Sequence, residues 1–196
     1  MRVEWSVDIG PESDCLELPW RSEDGKYRFY DLRNQPELLL NITETHENRE
    51  LAEFLAAINT PRSFFTTAKC DVWSSDSFSD LSVEEVEFRK QCKFASYVDA
   101  VLVDVAARLN FTKHEQLAID LSNLLELVPD FAAMVEIVIR RCYFHTNDNE
   151  DESEDGFAIT LFLSGYGMDM PSARKSWAIG LKLVENALRQ LSAKQN

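Results

Sequence analysis

Carboxylates dominate the chemistry this sequence could perform. The run from Asn147 to Gly156 holds Asp148, Glu150, Asp151, Glu152, Glu154 and Asp155 and contains no cation. Clustered carboxylates can ligate a hard cation through oxygen or attract a basic protein surface over long range. The calcium-loop reading starts passably: with Asp151 as position 1, Ser153, Asp155 and Gly156 fall at positions 3, 5 and 6. It fails at position 12, where Phe162 replaces the bidentate Glu, and its flanks read as strands where helices are required. Charge at this density cannot be buried without partners, so the run is expected to be a solvated connection at a hairpin tip. Its six carboxylates are the candidate partner-binding residues.

Other chemistries find only fragments. A catalytic zinc needs two or three convergent ligands, and the chain has three histidines, His46, His114 and His145. His114-Glu115 begins like H-E-x-x-H, but Ala118 stands where the second His belongs. His46 and Glu50 share a helical face and read as first-turn residues. Ser164-Gly165-Tyr166-Gly167 lacks the strand–nucleophile–helix spacing of a serine elbow, and the six glycines form no phosphate-binding fingerprint. Cys142 has cationic neighbours in sequence, Arg140, Arg141 and His145, which would lower a thiol pKa. Strand alternation puts Cys142 on the face of Arg140 and away from Arg141. Tyr97 and Asp104 stand at helical spacing, with an Asp104–Arg108 ion pair as the plainer account of the carboxylate. An enzyme or small-ligand site would therefore be assembled around Cys142 and His145, or around Tyr97 and Asp104. No metal or cofactor is expected.

Bulk properties narrow the classes. Thirty-four acidic and 20 basic residues leave a net charge of −14 on 196 residues. Such a field repels phosphate backbones and anionic lipid, so neither direct nucleic-acid binding nor membrane association is expected. Four separated cysteines without a C-x-x-C pair, no apolar leader at the start and no long uncharged stretch predict a cytoplasmic protein with free thiols. Hydrophobic residues at 45% and only 12 Gly plus Pro predict a single domain over 1–196.

The elements that would position these groups follow from periodicity. Val3, Trp5, Val7 and Ile9 alternate with polar residues as in a half-buried strand. Leu16 to Trp20 and Tyr27 to Leu32 would be strands joined by a turn at Ser22-Glu23-Asp24-Gly25. Glu47 to Ile58 is helical, and Phe64 to Trp73 is a strand. A long helix is expected from Ser82, opened by a Ser82/Glu85 capping box and lined by Phe88, Cys92, Ala95, Val98, Leu102, Val105 and Leu109. Asn110 would close it, and Thr112 would open a second helix that stops at Pro129. Met134 to His145 and Phe157 to Leu163 would pair across the acidic run. A last helix from Pro171 buries Trp177, Leu181, Val184, Leu188 and Leu191, and carries Arg174, Lys175, Lys182, Arg189 and Lys194 against Glu185.

The expected fold is α+β: an antiparallel sheet of five or six strands with helices packed mainly on one face. The expected function is a non-catalytic acidic protein-interaction module, of inhibitor, immunity or accessory-subunit type, that engages a basic partner. A homodimer through the basic last helix is the competing association.

Overall fold

The structure is a computed structural model that describes residues 1–76, 92–146 and 149–195, with side chains for all of these but 146, 149–152 and 195. Its six-stranded mixed sheet is mostly antiparallel and makes the protein α+β. Chain order is β1 (Arg2–Asp8), β2 (Leu16–Leu18), a 3-10 helix (Pro36–Asn41), α1 (Glu44–Glu47), α2 (Arg49–Ile58), β3 (Phe65–Ser75) and β4 (Cys92–Leu102). There follow α3 (Val105–Arg108), α4 (Phe111–Glu126), β5 (Ala133–Thr146), β6 (Asn149–Gly167) and α5 (Met170–Gln195). Across the sheet the order is β1-β5-β6-β4-β3. β1 and β2 both run parallel to β5, one beyond the other along the same strand.

β4 corrects the long-helix expectation from Cys92 onward; Ser82 to Gln91 lie outside the described residues. The strand sits between β3 and β6 and is buried on both sides, with Ala95, Ser96, Val98, Asp99 and Val101 all nearly inaccessible. A strand buried on both faces is apolar almost throughout, so its residues fit a 3.6-residue period as readily as a period of two. Asn110 does not end a helix. It is the N-cap of α4, and its side chain accepts from the Lys113 N–H. Asp104 caps α3 in the same way by accepting from the Ala107 N–H, while Arg108 donates to the Val103 carbonyl. The intrahelical Asp104–Arg108 reading is thereby replaced by a cap.

The acidic run is also corrected. Asn149 to Gly156 belong to β6; Asn149 and Ser153 to Gly156 ladder onto β5 across a register shift, with Ser153 opposite His145, Glu154 opposite Phe144 and Asp155 opposite Tyr143. Backbone pairing satisfies the main chain while Ser153, Glu154 and Asp155 remain exposed, so high charge and strand structure coexist. The hairpin itself is present, but it is longer than the composition implied, with an irregularity between His145 and Thr146. Tyr27 to Leu32 is likewise not a strand; only an isolated Arg21–Arg28 bridge closes the turn, where Gly25 takes φ 68°.

One face of the central strands meets α5. Trp177 is fully buried, donates its indole N–H to Ser96 Oγ at 2.8 Å and meets Phe94 edge-on at 4.8 Å. β6 allows this approach through Gly165, where a Cβ would overlap the backbone of Ala173 and Trp177. α2 and α4 pack against α5, and α4 also reaches β1. Asn59 at the end of α2 ties that helix to β3, donating to Leu55 O and Thr67 Oγ1 and accepting from Thr66 Oγ1 and Thr67 N. β1 is recovered as a strand, but Trp5 and Val7 on it are exposed, because a single neighbouring strand leaves it at the sheet edge.

Two glycines separate close approach from mere flexibility. Gly165→Ala is expected to lower the unfolding free energy by about 3 kcal/mol or more, as an overpacked contact against backbone that cannot yield. Gly180→Ala on α5 is expected to raise it by about 0.5–1 kcal/mol, since its Cβ would sit 3.8 Å from Ala133 and Met1. Urea unfolding of both variants checks the pair.

Candidate functional site

The sheet face opposite Ser96 and Trp177 is assembled from alternate residues of five strands. Register places Lys69, Asp71 and Trp73 of β3 beside Asp99, Tyr97 and Ala95 of β4, then Thr160, Phe162 and Ser164 of β6. Glu136, Val138, Arg140, Cys142 and Phe144 of β5 continue the same face, followed by Glu4, Ser6 and Asp8 of β1.

One end of this face is covered. After β1 the chain returns as β2, placing Leu16 and Leu18 over a small second core of Val101, Cys142, Phe144 and Ala158. It then crosses to β3, where the β3–β4 ladder skips Ala68. The freed Ala68 carbonyl accepts the Trp20 indole N–H at 2.8 Å, so a bulge provides the docking point for the crossing segment. Arg33 clamps the far end, donating to the carbonyls of Thr60, Pro61 and Ser63.

At the other end Ala95 and Tyr166 are buried, while larger side chains of the same face reach solvent. Trp73, 40% exposed, lies 6.4 Å from Tyr97; Tyr97 lies 5.9 Å from Phe162; and the Arg140 guanidinium stands 5.4 Å over the Phe162 ring. These four side chains form one row across β3, β4, β6 and β5. At the boundary of the end covered by β2 lies a cleft of about 560 Å³, lined by Asp14, Cys15, Lys69, Tyr97, Asp99 and Arg140.

The electrostatics of the cleft centre on Asp99, which is 6% exposed and accepts the Thr160 hydroxyl at 2.5 Å. Burial pushes its carboxyl above the ordinary value of 3.8, opposed by the Thr160 hydrogen bond and by Arg140 and Lys69. Burial also raises the Tyr97 phenol, reinforced by the Asp99 and Asp71 charges. Arg140 Nε is buried with no acceptor; the nearest carboxylate, Asp8, is 3.9 Å away, beyond a hydrogen bond.

The candidates drawn from the sequence are distributed differently. Glu154 and Asp155 are exposed at the outer part of the β5–β6 hairpin; Glu150, Asp151 and Glu152 lie on β6, and Asp148 lies outside the described residues. Cys142 and His145 do not converge. Cys142 is buried in the second core with its thiol raised by burial, and His145 stands on the other face of β5, with Nε2 3.7 Å from Glu17. Cys15 and Cys70 are also raised by burial, so none of these three thiols has the lowered pKa of a nucleophile. Tyr97 belongs to the aromatic row, whereas Asp104 caps α3 beside a separate hollow with Lys113 and Leu117. His114 is fully buried; desolvation lowers its pKa, and its Nδ1 donates to the Asn110 carbonyl. Among the described residues no three His, Cys, Asp or Glu side chains gather as metal ligands, and no helix is long and apolar enough to cross a membrane.

Lys69 and Trp73 of β3 and Phe162 of β6 escape a motif search because their partners in the site lie on other strands. Their signal is a period of two, Lys69-x-Asp71-x-Trp73 and Tyr97-x-Asp99, and a helical reading of β4 hides half of it. Comparison with known proteins gives no match: no family model, curated protein or solved structure corresponds to this chain.

Asp99 makes the cleft pH-sensitive. A carboxyl raised in the fold contributes stability that is complete below 3.8 and is lost as pH rises through the raised value. Asp99→Asn keeps an acceptor for Thr160 without the charge. Its unfolding free energy, measured in urea at stepped pH, is expected to gain on the wild type as pH climbs above 3.8, and a constant difference would contradict the assignment.

Proposed function

We propose that this chain is a non-catalytic protein-interaction module whose sheet face opposite Trp177 engages a basic partner. The Trp73–Tyr97–Phe162–Arg140 row carries this reading. Trp, Tyr and Arg are the residues on which interface energy concentrates, and here they are contiguous and partly exposed. With α2, α4 and α5 taken as one layer on the Trp177 side, the row lies on the opposite face. Its surroundings are acidic: Glu4, Asp8, Asp14, Asp71 and Glu136 lie on or beside this face, with the carboxylates of the β5–β6 hairpin farther out. An apolar centre within a charged rim is the usual build of a transient interface, and the rim charge selects a cationic partner.

The net charge of −14 agrees with that partner class and opposes phosphate backbones. A second copy of the chain is the weaker candidate. Three of the five cations of α5 are engaged within the molecule: Arg174 with Glu50 and the Glu47 carbonyl, Lys182 and Arg189 with the buried Glu185. A cytoplasmic, free-thiol protein belongs to the same proposal.

The cleft favours a second reading, a small-ligand site around Tyr97. Its specific support is the buried Arg140 Nε, a donor that awaits an acceptor beside Lys69 and Asp99.

Capture from native lysate on immobilised protein, eluted by a salt gradient, tests both. A stoichiometric protein is expected that leaves at moderate salt. Its affinity should fall about 30-fold or more on Trp73→Ala or Tyr97→Ala, the loss of a central aromatic anchor. Asp71→Asn with Glu136→Gln should mainly shift elution to lower salt. Retention unchanged by both aromatic variants would overturn the proposal, and release by a small-molecule fraction would favour the cleft.

A further inference from the structure

A second concavity lies under the crossing segment, on the outer side of β3. It is a cavity of about 250 Å³ enclosed by the Trp20–Leu32 segment, the turn into α1 and β3 itself. Its interior is apolar: Leu32, Leu55 and Ala68 are buried there, and Ile42 is partly so. Burial pushes the Cys70 thiol up to about 12, so this wall is neutral at physiological pH. Trp20, Tyr27 and Tyr30 give the cavity aromatic walls.

The rim inverts the charge of the molecule. The whole chain has 34 acids to 20 cations, yet the side chains lining this cavity include Lys26, Arg28 and Lys69 against one carboxylate, Glu44. Each cation stands over an aromatic wall: Lys26 4.9 Å from the Tyr27 centroid, Arg28 5.5 Å from Tyr30, and Lys69 5.2 Å from Trp20. Ring faces hold the cations in place without neutralising them; Asp24 near Lys26 and Asp99 near Lys69 offset part of that charge, and the remainder is available to a ligand. An apolar interior with a few convergent polar groups at its mouth is the ordinary construction of a small-molecule site.

We infer that this cavity binds a small organic anion with a flat apolar body, the ring system between Trp20 and Tyr30 and the anionic group among Lys26, Arg28 and Lys69. The body replaces water against Leu32, Leu55 and Ala68. The head group meets cations on three sides in a molecule whose remaining surface would repel it. Carboxylate and phosphate heads satisfy the same chemistry. The site is separate from the aromatic row, sharing only Lys69 with the neighbouring cleft.

Titration calorimetry with 1-naphthoate, 1-naphthyl phosphate, the uncharged 1-naphthamide and the flexible anion octanoate tests the inference on the intact chain. At least one naphthyl anion is expected to bind with Kd below about 1 mM, and the preferred head group identifies the ligand source. The amide and octanoate should each bind about tenfold more weakly or worse. Lys26→Met with Arg28→Met should cost about tenfold in affinity for the anion and nothing for the amide, and both residues are exposed, so folding should persist. Trp20→Phe should remove the accompanying fluorescence change. No binding by either anion, equal affinity for acid and amide, equal affinity for octanoate, or an unaffected double variant would each overturn it.

Discussion

The contact between the first turns of α5 and β6 is the constraint on which the architecture rests. Gly165 and Gly167 bring strand backbone against helix backbone, since any Cβ there would collide with Ala173 and its neighbours. That separation lets Trp177 reach across β6 to Ser96 on β4 and places its ring against Phe94. One indole thereby fixes the register of a helix against two strands. Through α5, α2 and α4 are placed in turn. The opposite face inherits its order from the same contact, because a strand whose one face is locked can present only the alternate residues on the other.

Charge is distributed by a related logic. Acids that face solvent need no compensation, and most of this chain's carboxylates lie there. The buried ones are individually satisfied: Glu185, 2% exposed, receives Lys182 at 2.8 Å and Arg189 at 3.1 Å, and Asp99 receives the Thr160 hydroxyl. Cations collect where aromatic faces hold them, at Lys69 over Trp20, Arg140 over Phe162 and Arg28 over Tyr30. An acidic protein thus has local surfaces of the opposite sign, each built on a ring. Net charge describes the approach of a partner, and these rings describe where it would stop.

Much of the element inventory was legible because it rests on local rules. The stripe of Trp177, Leu181, Val184, Leu188 and Leu191 is buried on α5 as its spacing requires. Gly25 occupies the positive φ that its Asp-Gly turn predicts. The failures share one cause. Cys92 to Leu102 reads as helix because apolar residues are dense enough to satisfy either period, and only the presence of β3 and β6 on both sides decides. Asn149 to Gly156 reads as a loop because charge excludes burial, yet pairing with β5 asks only for backbone. Of the proposed site, Tyr97 and Arg140 drew notice beside other partners, Asp104 and Cys142, while Lys69 and Phe162 carried no motif.

By itself the sequence determined the α+β class, the exposure of Glu154 and Asp155, the helices at the Leu51–Ile58, Leu117–Leu125 and Trp177–Leu191 stripes and the turn at Gly25, all consequences of spacing within a few residues. Tertiary structure alone decided that Trp73, Tyr97, Phe162 and Arg140 form one row. The same holds for Trp20 crossing to Ala68, and for the cations that ring a cavity under it. Those relations join strands far apart in the chain, and strand order is set by which faces can be buried together, a property of the whole sheet that no single segment encodes.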